Sequence, residues 1–106
     1  MNWSRVEELR SEIGEDDFAE VVELFMSEAD SAIARLDGEL PDKNLEGTLH
    51  FLKGCMLNLG FDEVANVCAA AEDKARDGES EEINLPEIRQ IYRSSRAEFL
   101  KGCSLP

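Results

Sequence analysis

Leu49-His50-Phe51-Leu52-Lys53-Gly54-Cys55-Met56-Leu57-Asn58-Leu59-Gly60 decides how this chain of 106 residues is read. Leu45, Leu49, Leu52, Met56 and Leu59 recur at helical spacing, so the stretch is one face of an amphipathic helix. At ~100° per residue, His50 lies roughly 150° from the centre of that apolar stripe and points to solvent. It is the only histidine in the sequence. Lys53 and Gly54 follow it by one turn and Gly47 precedes it by one. A glycine inside a helix costs about 1 kcal/mol relative to alanine. Two of them around a lone exposed imidazole leave bare backbone where something large is to approach.

Working outward, Ser4 and Glu7 form a capping box ahead of a short helix carrying Val6, Leu9 and Ile13, which Gly14 stops. Asp17 and Glu20 repeat the box at the head of a longer second helix. Its stripe is Phe18, Val21, Val22, Phe25, Ala29, Ala32, Ile33 and Leu36. Leu24 and Met26 lie off that stripe, as either peripheral core or exposed apolar surface. Gly38 and Pro41 break the second helix, Asp42 or Asn44 caps the third, and Gly60 suits a left-handed end. A fourth helix over 62–76 presents Val64, Val67, Cys68, Ala71 and Ala75. After the polar turn Asp77-Gly78-Glu79-Ser80, Asn84 caps a fifth with Pro86 in its first turn. Ile88, Ile91, Tyr92, Ser95 and Phe99 form its inner face. The whole chain, 1–106, reads as one all-α domain. Long amphipathic helices on short connections favour neighbours packed up and down, with the short first helix capping one end. Periodicity alone leaves the connectivity open.

Composition narrows the function. A net charge of −13 argues against nucleic acid, whose affinity comes largely from neutralised phosphates, and against anionic membrane surfaces. It suits a soluble monomer, or has a specific part in the choice of partner. No apolar run approaches the ~20 residues that span a bilayer, and the start of the chain carries no signal-like pattern. Cys55, Cys68 and Cys103 form no CxxC pair, and the first two fall near apolar positions, which fits buried free thiols in a reducing cytoplasm. A single histidine with scattered cysteines lacks metal-ligand spacing. There is no G-x-x-x-x-G-K-[ST] loop for a nucleotide.

A neutral imidazole is a good nucleophile near pH 7, and an exposed one can take a phosphoryl group on a ring nitrogen. Such a step needs the ring held in one tautomer, the phosphoryl charge offset, and room for a partner. Lys53 is placed as a point charge near the phosphoryl oxygens, and Gly54 and Gly47 clear the approach. Lys43 falls on the same side two turns earlier, as a partner contact or a solvated lysine.

His50-x-x-Lys53-Gly54 followed by Asn58-Leu59-Gly60 resembles the signature of histidine phosphotransfer domains of two-component phosphorelays. The resemblance covers most of the chain. It implies an antiparallel up-and-down four-helix bundle with a short N-terminal capping helix, and His50 as phosphoacceptor. It also implies a phosphocarrier role: a phosphoryl group is taken from the aspartate of one response-regulator receiver domain and passed to another, downstream of a hybrid histidine kinase. No cofactor is expected on this chain, and Mg2+ is expected in the partner receiver. By similarity, the acceptor that orients the ring is at Glu72, where the phosphotransfer domains of chemotaxis kinases also resemble this chain in having a glutamate. The competing reading leaves Glu72 in an exposed acidic run with Asp73. Where the family has small residues after the glycine, this chain has Met56 and Leu57. Leu57 shares the histidine's side, as an apolar docking contact or a filter on which receivers fit. Phe51 lies at the stripe's boundary, shielding the ring or packing inward. The alternative function is an interaction module that docks a receiver or kinase through the same face without being phosphorylated.

Overall fold

A computed structural model describes residues 1–36 and 44–103. Five α-helices follow one another: α1 (Trp3–Ile13), α2 (Glu15–Leu36), α3 (Leu45–Leu59), α4 (Asp62–Arg76) and α5 (Leu85–Cys103). A 3-10 turn, Ser80–Glu82, precedes α5, and the sequence pattern carried no sign of it. Gly38, Pro41, Asp42 and Lys43 lie outside the described residues.

The stripe of α3 is the centre of the core. Leu49, Leu52, Met56 and Leu59 have no exposed surface at all. Against them α4 sets Val64, Ala65, Cys68 and Ala71, all buried, and these small side chains let the two backbones approach closely. Glu46 pairs with Arg76 and His50 with Glu72, so α3 and α4 run in opposite directions. From α2 come Phe18, Val22, Met26, Ala29, Ala32, Ile33 and Leu36. Met26 is thus core, whereas Leu24 is 62% exposed. Val21, Phe25, Val67, Ala75 and Ile91 are only half-buried. α5 closes the bundle onto α2 through a polar seam. The Asp30 carboxylate accepts from Tyr92 and, at 3.1 Å to each oxygen, from Nε and Nη2 of Arg96. Burial, and then the Asp30 carboxylate, push the Tyr92 phenol above its ordinary range. Burial pushes the Cys68 thiol up to about 12, helped by Glu72, so it stays protonated.

The turn between α3 and α4 fixes where the site faces. Gly60 adopts φ +79°, Phe61 N–H reaches back to the Met56 carbonyl (2.8 Å), and the Phe61 ring enters the core beside Phe99 (5.3 Å between centroids). A Cβ on Gly60 would collide with the Asn2 carbonyl oxygen, because α1 is tied onto this corner. Asn2 N–H donates to the Gly60 carbonyl (2.7 Å), and Arg5 Nε donates to that of Asn58 (3.2 Å).

Two capping boxes expected from the sequence are absent. The N-cap of α1 is Asn2, whose Oδ1 accepts from Arg5 N–H (3.1 Å), so Ser4 already lies inside the helix. At α2, Gly14 (φ +94°) turns the chain directly from one helix into the next. Its carbonyl accepts from the N–H groups of Asp17 (3.3 Å) and Phe18 (3.0 Å), which leaves Asp17 in the first turn with Glu15 and Asp16. There the three carboxylates favour the positive end of the helix. Asn84 does cap α5, accepting from Glu87 N–H (3.0 Å). Losing an N-cap side chain typically costs ~1 kcal/mol. Asn2→Ala is therefore expected to lower unfolding stability by about that amount, and Ser4→Ala to leave it unchanged, in urea titrations of both variants. Equal losses from the two would restore Ser4 as the cap.

Candidate functional site

His50 projects from the outer face of α3 with 71% of its side chain exposed. One edge of the ring is nevertheless fixed. Nδ1 lies 2.9 Å from Oε2 of Glu72, across the α3–α4 interface. Glu72 is the one charged residue buried among the described residues, with 4% of its side chain exposed, and Lys53 Nζ donates to its other oxygen at 3.0 Å. The helical count explains the meeting. Lys53 stands one turn beyond His50 on the side facing α4, and Glu72 stands one turn beyond the buried Cys68. Asp73, its neighbour in sequence, is rotated out to solvent with 69% of its side chain exposed. Glu72 and Asp73 therefore do not form one exposed acidic run.

Burial by itself would raise the Glu72 pKa, but hydrogen bonds from Lys53 and His50, together with their charges, outweigh it and hold the carboxyl below its ordinary value. An ionised carboxylate can only accept, so the ring proton resides on Nδ1 and the Nε2 lone pair is left facing solvent. A carboxyl with a lowered folded-state pKa contributes stability that is complete above its unfolded value and lost as pH falls through the folded one. The stability that Glu72 contributes relative to Glu72→Gln is therefore expected to be lost as pH falls below about 4.5, the ordinary value for this carboxyl. Denaturant titrations between pH 3 and 7, on a scale of roughly one pH step each, check this. A difference that does not vary with pH would mean that Glu72 is not held ionised by its partners.

The two glycines beside the histidine differ. A Cβ on Gly54 would meet nothing, so the helix surface there is open. A Cβ on Gly47 would run into the Asn44 carboxamide at the start of α3. Gly47 is half-buried, beside the Asn44 side chain at the start of its own helix. Leu57 is 51% exposed two turns beyond His50, and Phe51 is 40% exposed beside it. Both extend apolar surface from the imidazole. Asn58 donates to the Gly54 carbonyl (3.1 Å), and its Oδ1 accepts from Arg5 Nη2 (3.4 Å), joining this surface to α1. Lys43 lies outside the described residues.

Two charged residues escaped the sequence reading. Arg76 Nη2 stands 3.9 Å from Oε1 of Glu72, while its Nε donates to Glu46 (3.2 Å) and Nη1 to Asp73 (3.1 Å). The signal was spacing: Arg76 is four residues after Glu72 on α4, and Glu46 four before His50 on α3, one turn beyond the central pair in each case. Only the crossing of the two helices shows that these outer residues meet.

No helix among the described residues is long and apolar enough to cross a membrane. No curated protein and no solved structure matches the chain. The family model for the Hpt domain matches residues 20–98, from the first turns of α2 to the last turns of α5, a span that contains the whole His50–Lys53–Glu72 cluster. Three-quarters of its length thus fitting one family, this chain belongs to the Hpt domains, the helical bundles of phosphorelay signalling that interact with receiver domains and kinases.

Proposed function

We propose that His50 is the phosphoacceptor of a relay step, taking its phosphoryl group from the aspartyl phosphate of one receiver domain and passing it to the aspartate of another. The strongest support is the exposed ring whose Nδ1–H is held by a buried, ionised Glu72. The Nε2 lone pair attacks phosphorus, the Nε2–P bond forms, and the bond to the receiver's carboxylate oxygen breaks with its electron pair returning to the aspartate. The ring then carries Nδ1–H and Nε2–P and is cationic, and the Glu72 carboxylate offsets that charge. Passing the group on reverses these bonds.

Lys53, already beside the ring, supplies positive charge toward the phosphoryl oxygens. Mg2+ belongs to the receiver, and this chain contributes the nucleophile and a docking face of Gly54, Leu57 and Phe51. In this reading α2 to α5 form an antiparallel up-and-down four-helix bundle that α1 caps, and the protein works as a cytoplasmic monomer. The pairings of residues 46 and 50 with 76 and 72, and of residues 30 and 36 with 96 and 89, support opposed neighbours.

Incubation with a panel of phosphorylated receivers tests the reading. Acid-labile, alkali-stable phosphate on the protein is the expected result. Docking of receivers without any such label would favour an unphosphorylated interaction module on the same face.

A further inference from the structure

We propose that Arg76 and Glu46 form a charge switch beside His50: Glu46 holds the Arg76 guanidinium while the ring is unmodified, and yields it to the phosphoryl group once the ring carries one. This rests on His50 being phosphorylated.

The charges around the ring show why a second cation is needed. Glu72, Glu46 and Asp73 are negative, and Lys53 and Arg76 positive. A phosphoryl group brings close to two further negative charges at neutral pH. Lys53 is already bound to Glu72 at 3.0 Å, and the same carboxylate accepts from the imidazole. Turning its ammonium wholly to the phosphoryl group would leave the buried Glu72 with the ring as its remaining close partner, so one lysine is shared between two anions.

Arg76 is a second cation close to the ring's carboxylate partner. Its Nη2 is 3.9 Å from one oxygen of Glu72, whose other oxygen is 2.9 Å from the ring, so a single carboxylate separates guanidinium and imidazole. The pairs that now hold it are weak ones. Its side chain is 55% exposed, and those of Glu46 and Asp73 are 49% and 69% exposed. Exposed ion pairs contribute little. A phosphoryl group offers the planar fork of an arginine two parallel charge-assisted hydrogen bonds, a stronger contact than either single carboxylate contact. Glu46 lies one turn before His50 on the same side of α3, so it competes with the phosphoryl group for one guanidinium.

Pairing the phosphoryl oxygens withdraws the charge that drives loss of the group through a loose transition state. Arg76 is thus expected to prolong the life of the phosphohistidine, and Glu46 to shorten it.

Potassium phosphoramidate tests this without a receiver: the imidazole nitrogen displaces ammonia from phosphorus, and the phosphohistidine is followed by 31P NMR after the reagent is removed. Arg76→Ala should shorten its half-life about three-fold, the size expected for one exposed charge contact. Arg76→Lys should restore part of it, and Glu46→Gln should lengthen it beyond wild type. Thermal unfolding should be nearly unchanged in all three, because the side chains are exposed. A wild-type half-life in Arg76→Ala, or a shortened one in Glu46→Gln, overturns the switch. A wild-type protein that takes label from phosphoramidate but from no receiver overturns the relay reading alone, and the half-lives then still decide the part of Arg76. Failure of phosphoramidate to label His50 overturns both.

Discussion

His50→Gln is expected to fold as wild type and to lose phosphoryl uptake completely. The imidazole is exposed over 71% of its surface, and its hydrogen bond goes to Glu72, which Lys53 also holds. Removing the ring therefore opens no cavity in the core. The glutamine amide can donate to the carboxylate in its place, so the buried charge keeps its partners. Helicity and melting temperature should hardly move. What disappears is the lone pair: an amide nitrogen is no nucleophile at neutral pH, and no second histidine exists in the sequence to replace it. Circular dichroism and receiver-to-protein transfer on the same preparation give both readouts. Acid-labile label on the variant at the wild-type level would remove His50 from the reaction.

Gly54→Gln should separate stability from function in the opposite sense, raising one and lowering the other. A mid-helix glycine costs about 1 kcal/mol against a good helix former, and a Cβ at this position meets nothing within 4 Å. A gain of that size corresponds to a melting temperature higher by roughly 4–8 °C in a domain of this length. The new side chain would stand one turn from His50, on the surface a receiver must cover to bring its aspartyl phosphate to Nε2. Transfer should slow by about tenfold or more, equivalent to at least ~1.4 kcal/mol of lost docking. At Gly47, by contrast, a Cβ would first have to displace the Asn44 side chain. Thermal unfolding together with transfer kinetics decides the matter. A stable variant that still transfers at the wild-type rate would mean that receivers do not approach over Gly54, and an early-melting one that the glycine is needed for packing.

Both experiments probe a face that local sequence located well. The apolar stripe of α3, the outward direction of His50, the limits of α4 at 62 and 76, the left-handed end at Gly60 and the cap at Asn84 were all legible. Each depends on residues within about a turn of one another, and helical geometry translates such spacing directly into direction. Even there, competition among local signals misled: Ser4 and Asp17 are good caps by type, but Asn2 and Gly14 sit where the chain actually changes direction. The off-stripe Met26 and Leu24 were indistinguishable by spacing. Only the helices packed around α2 put the first inside and left the second exposed.

The rest of the site was decided by how α3 lies on α4. Glu72 and Asp73 are chemically alike and adjacent, yet one is buried against Lys53 and His50 and the other is solvated. Resemblance to a family pointed to Glu72, but its lowered pKa comes from partners about twenty residues away. Arg76 and Glu46 become neighbours for the same reason, as did the tie between Arg5 and Asn58. The sequence by itself therefore determined the helices, their inner faces and the residue that looks outward, because those follow from periodicity along one strand of chain. Which charges face the histidine was left to tertiary structure. Coulomb and hydrogen-bond energies depend on separations of a few ångströms across an interface, and no spacing along either helix contains them.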